Sequence, residues 1–259
     1  MLGITATTWD AQLLAALDAS SREIDSHCGR VFFASTAARY FDPHSAGACM
    51  IDDCLSLSAV STDSELDHTY DGETWAAGDW TLWPDNQFPK TEIRTTPDGD
   101  YAFARYPRYL KLTGLWGYGD GLSATPWNVS TVTVTVATTT GTAVTVSSAS
   151  VLEPGMTIRA GSEDMYISAV SATTLTCVRG VNGSTAAAQS AVTVYVHAYP
   201  AQIKTACMYL AGMKYNTHKS AGLQGETIGS YSYTNSSMAD KIAGDYLQRA
   251  LSGVTRYHI

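Results

Sequence analysis

The sequence has little charge and no long apolar run. Charged residues make up 15% of the 259 residues, and 16 Lys and Arg stand against 24 Asp and Glu, a formal net charge of −8. Proteins that grip nucleic acid neutralise its phosphates with Lys and Arg, so this balance argues against tight DNA binding. No stretch reaches the roughly 18 apolar residues that a membrane-spanning helix needs. With 45% hydrophobic residues, the sequence predicts a globular protein that has a real core and no membrane contact.

The sequence also lacks a disulfide framework and a secretion signal. Its five cysteines are an odd number without paired spacing, which favours free thiols. Near the N-terminus, Asp10 and Asp18 interrupt the only apolar stretch that resembles a signal peptide. We therefore expect a protein that is made and used without secretion. The sequons at Asn128, Asn182 and Asn235 are then chance occurrences.

Motifs of catalysis and of cofactor binding are missing as well. No serine lies in a G-x-S-x-G setting, and "GYGDG" (117–121) lacks the Lys-Ser/Thr of a phosphate-binding loop. His44, Cys49 and Cys54 have no second pair of ligands at zinc spacing. The sequence predicts no enzyme activity, no cofactor and no metal.

The dipeptide His27-Cys28 is the best candidate for a reactive thiol. Adjacent residues on a helix point about 100° apart, which is poor geometry for a dyad. Cys28 also continues an apolar stripe, so we interpret it as a buried structural residue. The other members of that stripe are Leu13, Leu17 and Ile24.

Carboxylate pairs and tryptophans are the remaining candidates for a site. The pairs are Asp52-Asp53, Asp98 with Asp100, and Glu163-Asp164. A glycosidase or a cation site uses such groups, but adjacent carboxylates on a strand point to opposite faces, and Asp98 and Asp100 flank a turn glycine. We therefore interpret them as solvated turn residues. The tryptophans Trp75, Trp80 and Trp83 either stack on a sugar or anchor a core, and the second reading is the more common one.

The first half of the chain reads as one helix followed by short strands. Residues 8–28 have helical periodicity, with Thr8 as N-cap and Gly29 as C-cap. Strand preference follows at Val31 and continues through alternating segments. Those segments are "ARYFD" (38–42), "CLSLSAV" (54–60) and "YLKLTGLWGYGDG" (109–121).

Composition changes at Trp127. From there to His197 the chain is dominated by Thr, Val, Ser and Ala, in six strand-like runs with few charges. The runs are "STVTVTV", "TAVTV", "MTIRA", "DMYISAV", "TLTCV" and "AVTVYV". This segment predicts a small all-β barrel or sandwich. The turn residues Gly155, Gly180 and Gly183 are expected at positive φ.

Helical periodicity returns at Pro200 and again near the C-terminus. A core helix is expected after Pro200, then a polar loop (219–236) and a last helix (237–252) with Ser237 as N-cap. We predict an α+β fold: a helical framework with short strands and hairpins, interrupted by the β-domain. Its parts are residues 1–126, the insert 127–197 and residues 198–259, and the ends of the insert should lie close together.

Taken in order, the framework segments resemble the head-tail connector (adaptor, or head-completion) family of tailed bacteriophages. "ALDASSREIDSHCGRVFF" is similar to its first helix and the following junction, and two segments are similar to its first strands. Those two are "ARYFD" and "MIDDCLSLSAVSTD". Later pieces are "DWTLWPDN", "LKLTGLWGYGD", "YPAQIKTACMYLAGMKY", "GETIGSYSYTNSS" and "AGDYLQRALSGVTRY". The resemblance covers about 190 residues; the β insert departs from it but resembles a small module of phage virion proteins.

This resemblance implies a structural virion protein at the portal vertex, or neck, that is assembled in the host cytoplasm. It implies a homo-oligomeric ring, usually a dodecamer, between the portal protein and a stopper, tail-completion or tail protein. Genomic DNA would pass through its channel without sequence-specific binding. A long insertion is tolerated at a surface turn and would obstruct DNA if it pointed inward, so we expect the insert to point outward, toward neighbours, capsid or a decoration protein. The implied portal and subunit contacts are Arg30, Tyr246, Leu247, Arg249, Leu251, Arg256, Tyr257, His258 and Ile259. The alternative is a carbohydrate- or receptor-binding phage structural module, suggested by the tryptophans and the Thr/Ser-rich insert.

Overall fold

The computed structural model describes residues 9–71, 73–99, 101–219, 225–228, 231–234, 248–249 and 251–256. These residues divide into two compact units. One unit combines the two ends of the chain, up to Arg30 and from Pro200 onward. The other unit is the continuous segment Val31–Tyr199.

The first unit is built on two helices of 19 residues, α1 (Asp10–Cys28) and α2 (Ala201–Lys219). They pack against each other, and the indole of Trp9 meets the ring of Tyr215 edge-on at 6.1 Å. The buried face of α2 has helical spacing, as the sequence predicted, and consists of Ile203, Ala206, Leu210, Ala211 and Tyr215. The unit also contains an antiparallel hairpin of β13 (Gly225–Ile228) and β14 (Tyr231–Thr234). Neither helix is apolar enough over its length to cross a membrane, within the part of the chain that the structure covers.

Helix α1 ends where its sequence predicts. Gly29 adopts a left-handed conformation (φ 59°), and the backbone N–H of Arg30 donates to the carbonyl of Asp25 at 3.2 Å. A residue without Cβ takes this conformation at little cost, which stops the helix at Cys28. At its other end the helix begins after Trp9, with no side-chain cap, whereas the predicted N-cap Thr8 lies outside the described residues.

The first half of the second unit is an antiparallel sheet of six strands. Its order is β1-β6-β2-β5-β4, with β3 paired to β2. The strands are β1 (Ser35–Phe41), β2 (Ala48–Thr62), β3 (Glu73–Thr74), β4 (Trp80–Trp83), β5 (Lys90–Thr95) and β6 (Leu110–Trp116). The buried face combines aliphatic and aromatic side chains, and Trp75 stacks there on Tyr101 and on Phe103 with ring centroids 5.0 Å apart in each case.

The centre of this sheet requires a glycine. A Cβ built on Gly114 of β6 would lie 2.2 Å from the carbonyl oxygen of Ser56 and 2.8 Å from the Leu57 side chain. The register between β2 and β6 shifts on both sides of this point, which marks bulges in the long strand β2. Gly114 therefore allows the two backbones to approach where the bulges form.

Residues 127–197 form a closed barrel of six antiparallel strands, in the order β10-β11-β8-β7-β12-β9. The strands are β7 (Trp127–Val136), β8 (Ala143–Val146), β9 (Thr157–Ala160), β10 (Glu163–Ser171), β11 (Thr174–Val181) and β12 (Gln189–His197). All six predicted strand runs are confirmed. The predicted positive φ is also found at the three turn glycines, Gly155, Gly180 and Gly183.

The inward positions of the barrel strands are apolar and mostly aliphatic. They include Val132, Val134, Val144, Ile158, Met165, Ile167, Leu175 and Val194. The first and last residues of the barrel, Trp127 and His197, are Cα partners in the β7–β12 ladder. The N–H of Ala198 donates to the carbonyl of Pro126 at 2.8 Å. The prediction that the ends of the insert lie together is confirmed.

The predicted fold class is wrong. Strands account for 39% of the chain and helices for 18%, so the protein is mostly β and not a helical connector framework. The error lies in the segment between Val31 and Trp127, which forms a full sheet. Strand β2 alone runs for 15 residues, because Asp52 and Asp53 continue it where the sequence suggests a turn.

Candidate functional site

The C-terminal segment returns to the end of helix α1. The backbone N–H of Arg256 donates to the carbonyl of Cys28 at 2.8 Å, and Leu251 and Val254 are buried. The last carbonyls of a helix have no partner within it, so this bond satisfies one of them. The unit therefore holds the residues before the C-terminus against the α1 terminus.

Cys28 is confirmed as a structural residue. Its side chain is buried, and burial raises the pKa of the thiol, an effect that exceeds the opposing hydrogen bond with Thr255. His27 is exposed on a different side of the helix, as the spacing predicts. A buried and protonated thiol is a poor nucleophile, so this corner of the fold is an unsuitable active site.

The residues expected to contact the portal or a neighbouring subunit have different environments. Arg249 is exposed, Arg30 and Arg256 are half-buried, and Leu251 is only 1% exposed. Leu251 therefore packs within its own unit in this structure. The remaining five lie outside the described residues: Tyr246, Leu247, Tyr257, His258 and Ile259.

The reading of Glu163 and Asp164 as solvated turn residues is wrong. Glu163 is fully buried and Asp164 is 1% exposed, at the start of strand β10. Arg179 of β11 binds Glu163 through two hydrogen bonds, from Nε to Oε1 (2.6 Å) and from Nη2 to Oε2 (2.7 Å). The strand pairing brings the two side chains together, because β10 and β11 are antiparallel neighbours.

Further hydrogen bonds enclose this ion pair. Glu163 accepts the backbone N–H groups of Gly180 (3.2 Å) and Ala187 (3.0 Å), while Arg179 donates to the carbonyls of Gly141 (2.9 Å) and Ala187 (2.7 Å). Burial by itself raises the pKa of the Glu163 carboxyl, but the hydrogen bonds and the Arg179 charge outweigh it, and the pKa lies below its usual value. The pair joins strands and turns of the barrel. The Glu163 carboxylate and the Arg179 guanidinium are hydrogen-bonded to each other.

Asp164 lies in a second buried cluster, next to the first and last residues of the barrel. Its Oδ1 is 3.2 Å from Nε2 of His197 and 3.4 Å from Nη1 of Arg159. The Arg159 guanidinium lies 4.6 Å from the centroid of the Trp127 ring, and the His197 ring lies 5.8 Å from that ring. Since Trp127 and His197 are the first and last residues of the barrel, the cluster fastens its two ends.

A cleft of about 320 Å³ lies beside this cluster, within the second unit. Hydroxyl groups and one guanidinium make up most of its polar lining. Its walls include Thr36, Ser56, Ser58, Thr125, Trp127 and Arg159. Ser58 already donates to the carbonyl of Thr113 at 3.1 Å, and Arg159 faces Asp164, so these groups are engaged in the fold.

The other carboxylates follow the geometry of a strand. Asp53 is buried while Asp52 faces solvent and binds Arg39 at 2.7 Å, which places the two side chains on opposite faces of β2. Asp98 is exposed in a turn, and Asp100 lies outside the described residues. Within the described ranges, no three His, Cys, Asp or Glu side chains are grouped to hold a metal ion.

Cys49 and Cys54, for which the sequence shows no second pair of zinc ligands, are core residues. Burial raises the pKa values of the Cys49 and Cys54 thiols to about 12 each. Both side chains therefore remain protonated thiols near neutral pH.

The tryptophans divide between core and surface. Trp75 is confirmed as a core anchor, enclosed by Tyr101 and Phe103. Trp83 is 41% exposed, but the Arg94 guanidinium lies 4.2 Å from its ring centroid. A sugar would have to displace this cation, so the aromatic stretch gives no specific support to glycan binding.

Sequence reasoning missed a surface cluster of four residues, which we call the cation–tyrosine ladder: Arg108, Tyr40, Tyr70 and Lys111. The Arg108 guanidinium lies over the Tyr40 ring (4.5 Å), the two tyrosine rings are 5.3 Å apart, and the Lys111 ammonium lies 5.6 Å from the Tyr70 centroid. Its members come from two strands and two loops, so only the fold brings them together. The residue types could have indicated this cluster in the sequence, since Arg and Tyr are enriched at binding surfaces.

No protein-family model matches the chain, and no curated protein matches its sequence.

Proposed function

We propose that the chain is an adaptor subunit of the head-tail connector of a tailed bacteriophage, which forms a ring between the portal and the stopper or tail. The ring extends the DNA channel. The proposal begins from the sequence segments that resemble the connector family. They occur in the same order as in that family, from the first helix to the C-terminus.

One structural observation carries the proposal. The chain enters and leaves the barrel at positions that are neighbours in space, since Trp127 and His197 are paired in one ladder. An insertion with adjacent ends leaves the surrounding fold uninterrupted. This supports treating the segments before and after the barrel as one framework, despite the 71 residues between them.

The packing of the chain ends supports the same proposal. Helix α2 follows the barrel yet packs against α1, and the segment around Arg256 is bonded to the end of α1. Residues 257–259 follow Arg256 directly in the sequence. In the proposed ring, Tyr257, His258 and Ile259 reach the portal protein from this anchor.

The net charge of −8 fits a channel through which DNA slides. A lysine-rich lining would bind phosphates and slow the passage of DNA. The barrel, by contrast, is proposed to lie radially outward, because a long insertion is tolerated at a surface turn and would obstruct the channel if it pointed inward. It would there contact capsid or a decoration protein, and a reconstruction with the barrel inside the lumen would refute this placement.

The test is reconstitution with the portal protein of the same phage. The full chain is mixed with purified portal rings, and the complex is isolated by size-exclusion chromatography and imaged by cryo-electron microscopy. We expect a second ring below the portal with the symmetry of an adaptor. A chain that stays monomeric and unbound in the presence of portal would overturn the proposal.

A truncated variant adds residue-level information. Deletion of residues 257–259 keeps the bond between Arg256 and Cys28 and should abolish portal binding, whereas Lys204→Ala, on the exposed side of α2, should leave it intact. Equal binding by the truncated and full-length chains would remove the C-terminal residues from the proposed contact.

A further inference from the structure

The cations of the second unit are few, and most are neutralised. Residues 31–199 contain 8 Lys and Arg against 17 Asp and Glu, a net charge of −9. Four of the cations have a carboxylate partner: Arg39, Arg94, Arg159 and Arg179. Lys90 is buried and donates to two backbone carbonyls, at 2.6 Å each.

The other three cations lie within seven residues of one another. They are Arg105, Arg108 and Lys111, and none forms an ion pair with a carboxylate that the structure describes. Two of them are the ends of the cation–tyrosine ladder. Arg108 and Lys111 therefore lie at one surface of this acidic unit, together with two tyrosine rings.

The fold holds the ladder in one arrangement. Tyr40 of β1 and Lys111 of β6 are cross-strand neighbours. The hydroxyl of Tyr70 donates to the carbonyl of Arg108, and the N–H of Arg108 donates to Oδ1 of Asp42 at 2.6 Å. Both loops are thus bonded to each other and to the end of β1, which positions the rings and the guanidinium before any partner arrives.

Backbone strain is concentrated at the same place. Seven non-glycine residues have positive φ among the described residues, and four of them belong to these two loops: Leu66 (62°), His68 (66°), Tyr70 (61°) and Arg108 (56°). Each such residue costs on the order of 1 kcal/mol, so the surrounding structure must enforce the conformation.

A buried carboxylate enforces part of it. Asp63 is 1% exposed and accepts the N–H groups of Asp67 and His68 at 3.0 Å each, while Nδ1 of His68 lies 3.1 Å from it. Strain that is maintained by a dedicated buried anchor, beneath an exposed Arg and Tyr surface, is typical of a preorganised binding site.

We propose that the cation–tyrosine ladder is a docking surface for a carboxylate-bearing surface of a second copy of this chain. Charge complementarity favours this occupant, because the second unit of each copy has a net charge of −9, while its cations without a carboxylate partner lie within residues 105–111. Exposed Tyr40 (42%) and Arg108 provide the residue types that dominate binding energy at protein interfaces.

Such a contact joins different surfaces of the two copies. A contact of this type repeats from copy to copy and closes into a ring when its rotation permits. The inference uses only one part of the proposed function, the association of copies, and does not require the portal. Duplex DNA, the other acidic partner, is distinguished from a second copy in the test below.

The test measures self-association of the full chain by sedimentation velocity over a series of concentrations, at about 25 mM and about 500 mM salt. Arg108→Glu reverses the charge at one end of the ladder. Lys204→Glu is the matched control, since it changes the net charge equally at an exposed site of helix α2. Tyr40→Ala removes a ring without changing charge, and near-ultraviolet circular dichroism verifies that each variant is folded.

We expect wild-type association that weakens at high salt. Arg108→Glu should raise the dissociation constant at least tenfold, which corresponds to about 1.4 kcal/mol, and Lys204→Glu should change it less than about twofold. Tyr40→Ala should weaken association at both salt concentrations. Wild-type affinity in Arg108→Glu would overturn the inference, and so would ladder-dependent binding to a fluorescent DNA duplex by a protein that stays monomeric.

The portal experiment separates this inference from the proposed function. If Arg108→Glu abolishes self-association but wild-type protein does not bind portal, the ladder contact stands and the adaptor role fails. If portal-bound rings form equally well with Arg108→Glu, the adaptor role stands and the ladder contact fails. A wild-type chain that never associates, alone or with portal, overturns both.

Discussion

The barrel (127–197) and the sheet that precedes it are both antiparallel β structures, yet they are stabilised in different ways. The barrel closes on itself, is filled with aliphatic side chains and places a charged pair inside its wall. The sheet is open, mixes aromatic with aliphatic side chains in its core and places most of its cations and its strained loops at the surface.

The difference concerns what each region leaves exposed. A closed barrel has no edge strands, so the Thr/Val alternation along its strands is enough to define an inside and an outside. An open sheet retains its edges β1 and β4 and covers its face with large rings from loops, such as Trp75 and Phe103. The barrel is thus suited to be an independent module, and the sheet to present a shaped surface.

The largest effect that separates the two regions is expected from Trp75→Ala. Removal of a buried indole that stacks on Tyr101 and Phe103 should destabilise the sheet by about 4 kcal/mol. Hydrogen exchange, read peptide by peptide, should show lost protection in residues 31–126 while the barrel keeps its own. Trp83→Ala, at an exposed site, is the control and should cost less than about 1 kcal/mol. Equal loss of protection in the barrel would mean that the two regions unfold as one.

The opposite pattern, a loss of stability in the barrel and not in the sheet, is expected from Arg179→Met. This change leaves the Glu163 carboxylate buried without its cation and should destabilise the barrel by about 3 kcal/mol. The double variant Arg179→Met/Glu163→Leu removes both charges and should recover most of the loss. Urea unfolding combined with hydrogen exchange in residues 127–197 measures both. A double variant as unstable as the single one would show that the pair contributes more than mutual neutralisation.

Acid should weaken the barrel through the same pair. The pKa of Glu163 is lowered in the folded protein, so the unfolded chain binds its proton more readily. Its contribution is complete above the unfolded value of about 4.3 and is lost as pH falls through the lower folded value. The urea midpoint of barrel unfolding should therefore drop in wild type as pH falls below about 4.3. Glu163→Gln should show a smaller drop, and parallel curves would exclude Glu163 as the cause.

Thiol labelling provides the mildest comparison. Burial raises the pKa of Cys177 in the barrel to about 11 and those of Cys49 and Cys54 in the sheet to about 12. At pH 8 all three should react with iodoacetamide only when their region opens, because the thiolate is the nucleophile. Arg179→Met should accelerate labelling of Cys177 alone, as measured by mass spectrometry of peptides. Faster labelling of Cys49 in that variant would indicate that opening spreads into the sheet.

Local chemistry predicted many elements of this fold. Valines at every second position, Val132, Val134 and Val136, predict a barrel strand, and Gly29 predicts the end of α1. Both signals lie within a few residues of the feature they predict. Cys28 was likewise assigned to the core from the spacing of its own helix.

Features that depend on distant residues were not predictable. Asp52-Asp53 resembles a turn until β1 places Arg39 beside it and β2 continues through it. Glu163 resembles a solvated residue until Arg179, 16 positions later, is brought to it by strand pairing. The six barrel runs have nearly the same composition, so their order in the barrel is set by tertiary packing and not by the individual runs.

The cation–tyrosine ladder shows the same limit for the candidate site. Tyr40 and Lys111 are 71 positions apart and become neighbours only in the β1–β6 pairing. Tyr70 and Arg108 have positive φ values in loops whose conformation no local sequence motif predicts.

The pairing of Trp127 with His197 makes the barrel an interchangeable cassette. Cα atoms of paired residues on neighbouring antiparallel strands are about 5 Å apart, so a turn of a few residues can bridge the gap that removal of the barrel would leave. Another domain whose termini are adjacent can be grafted at the same place without altering the length of the surrounding chain. A fluorescent or affinity domain exchanged for the barrel would therefore label the protein while leaving strand β6 and helix α2 in their native connections.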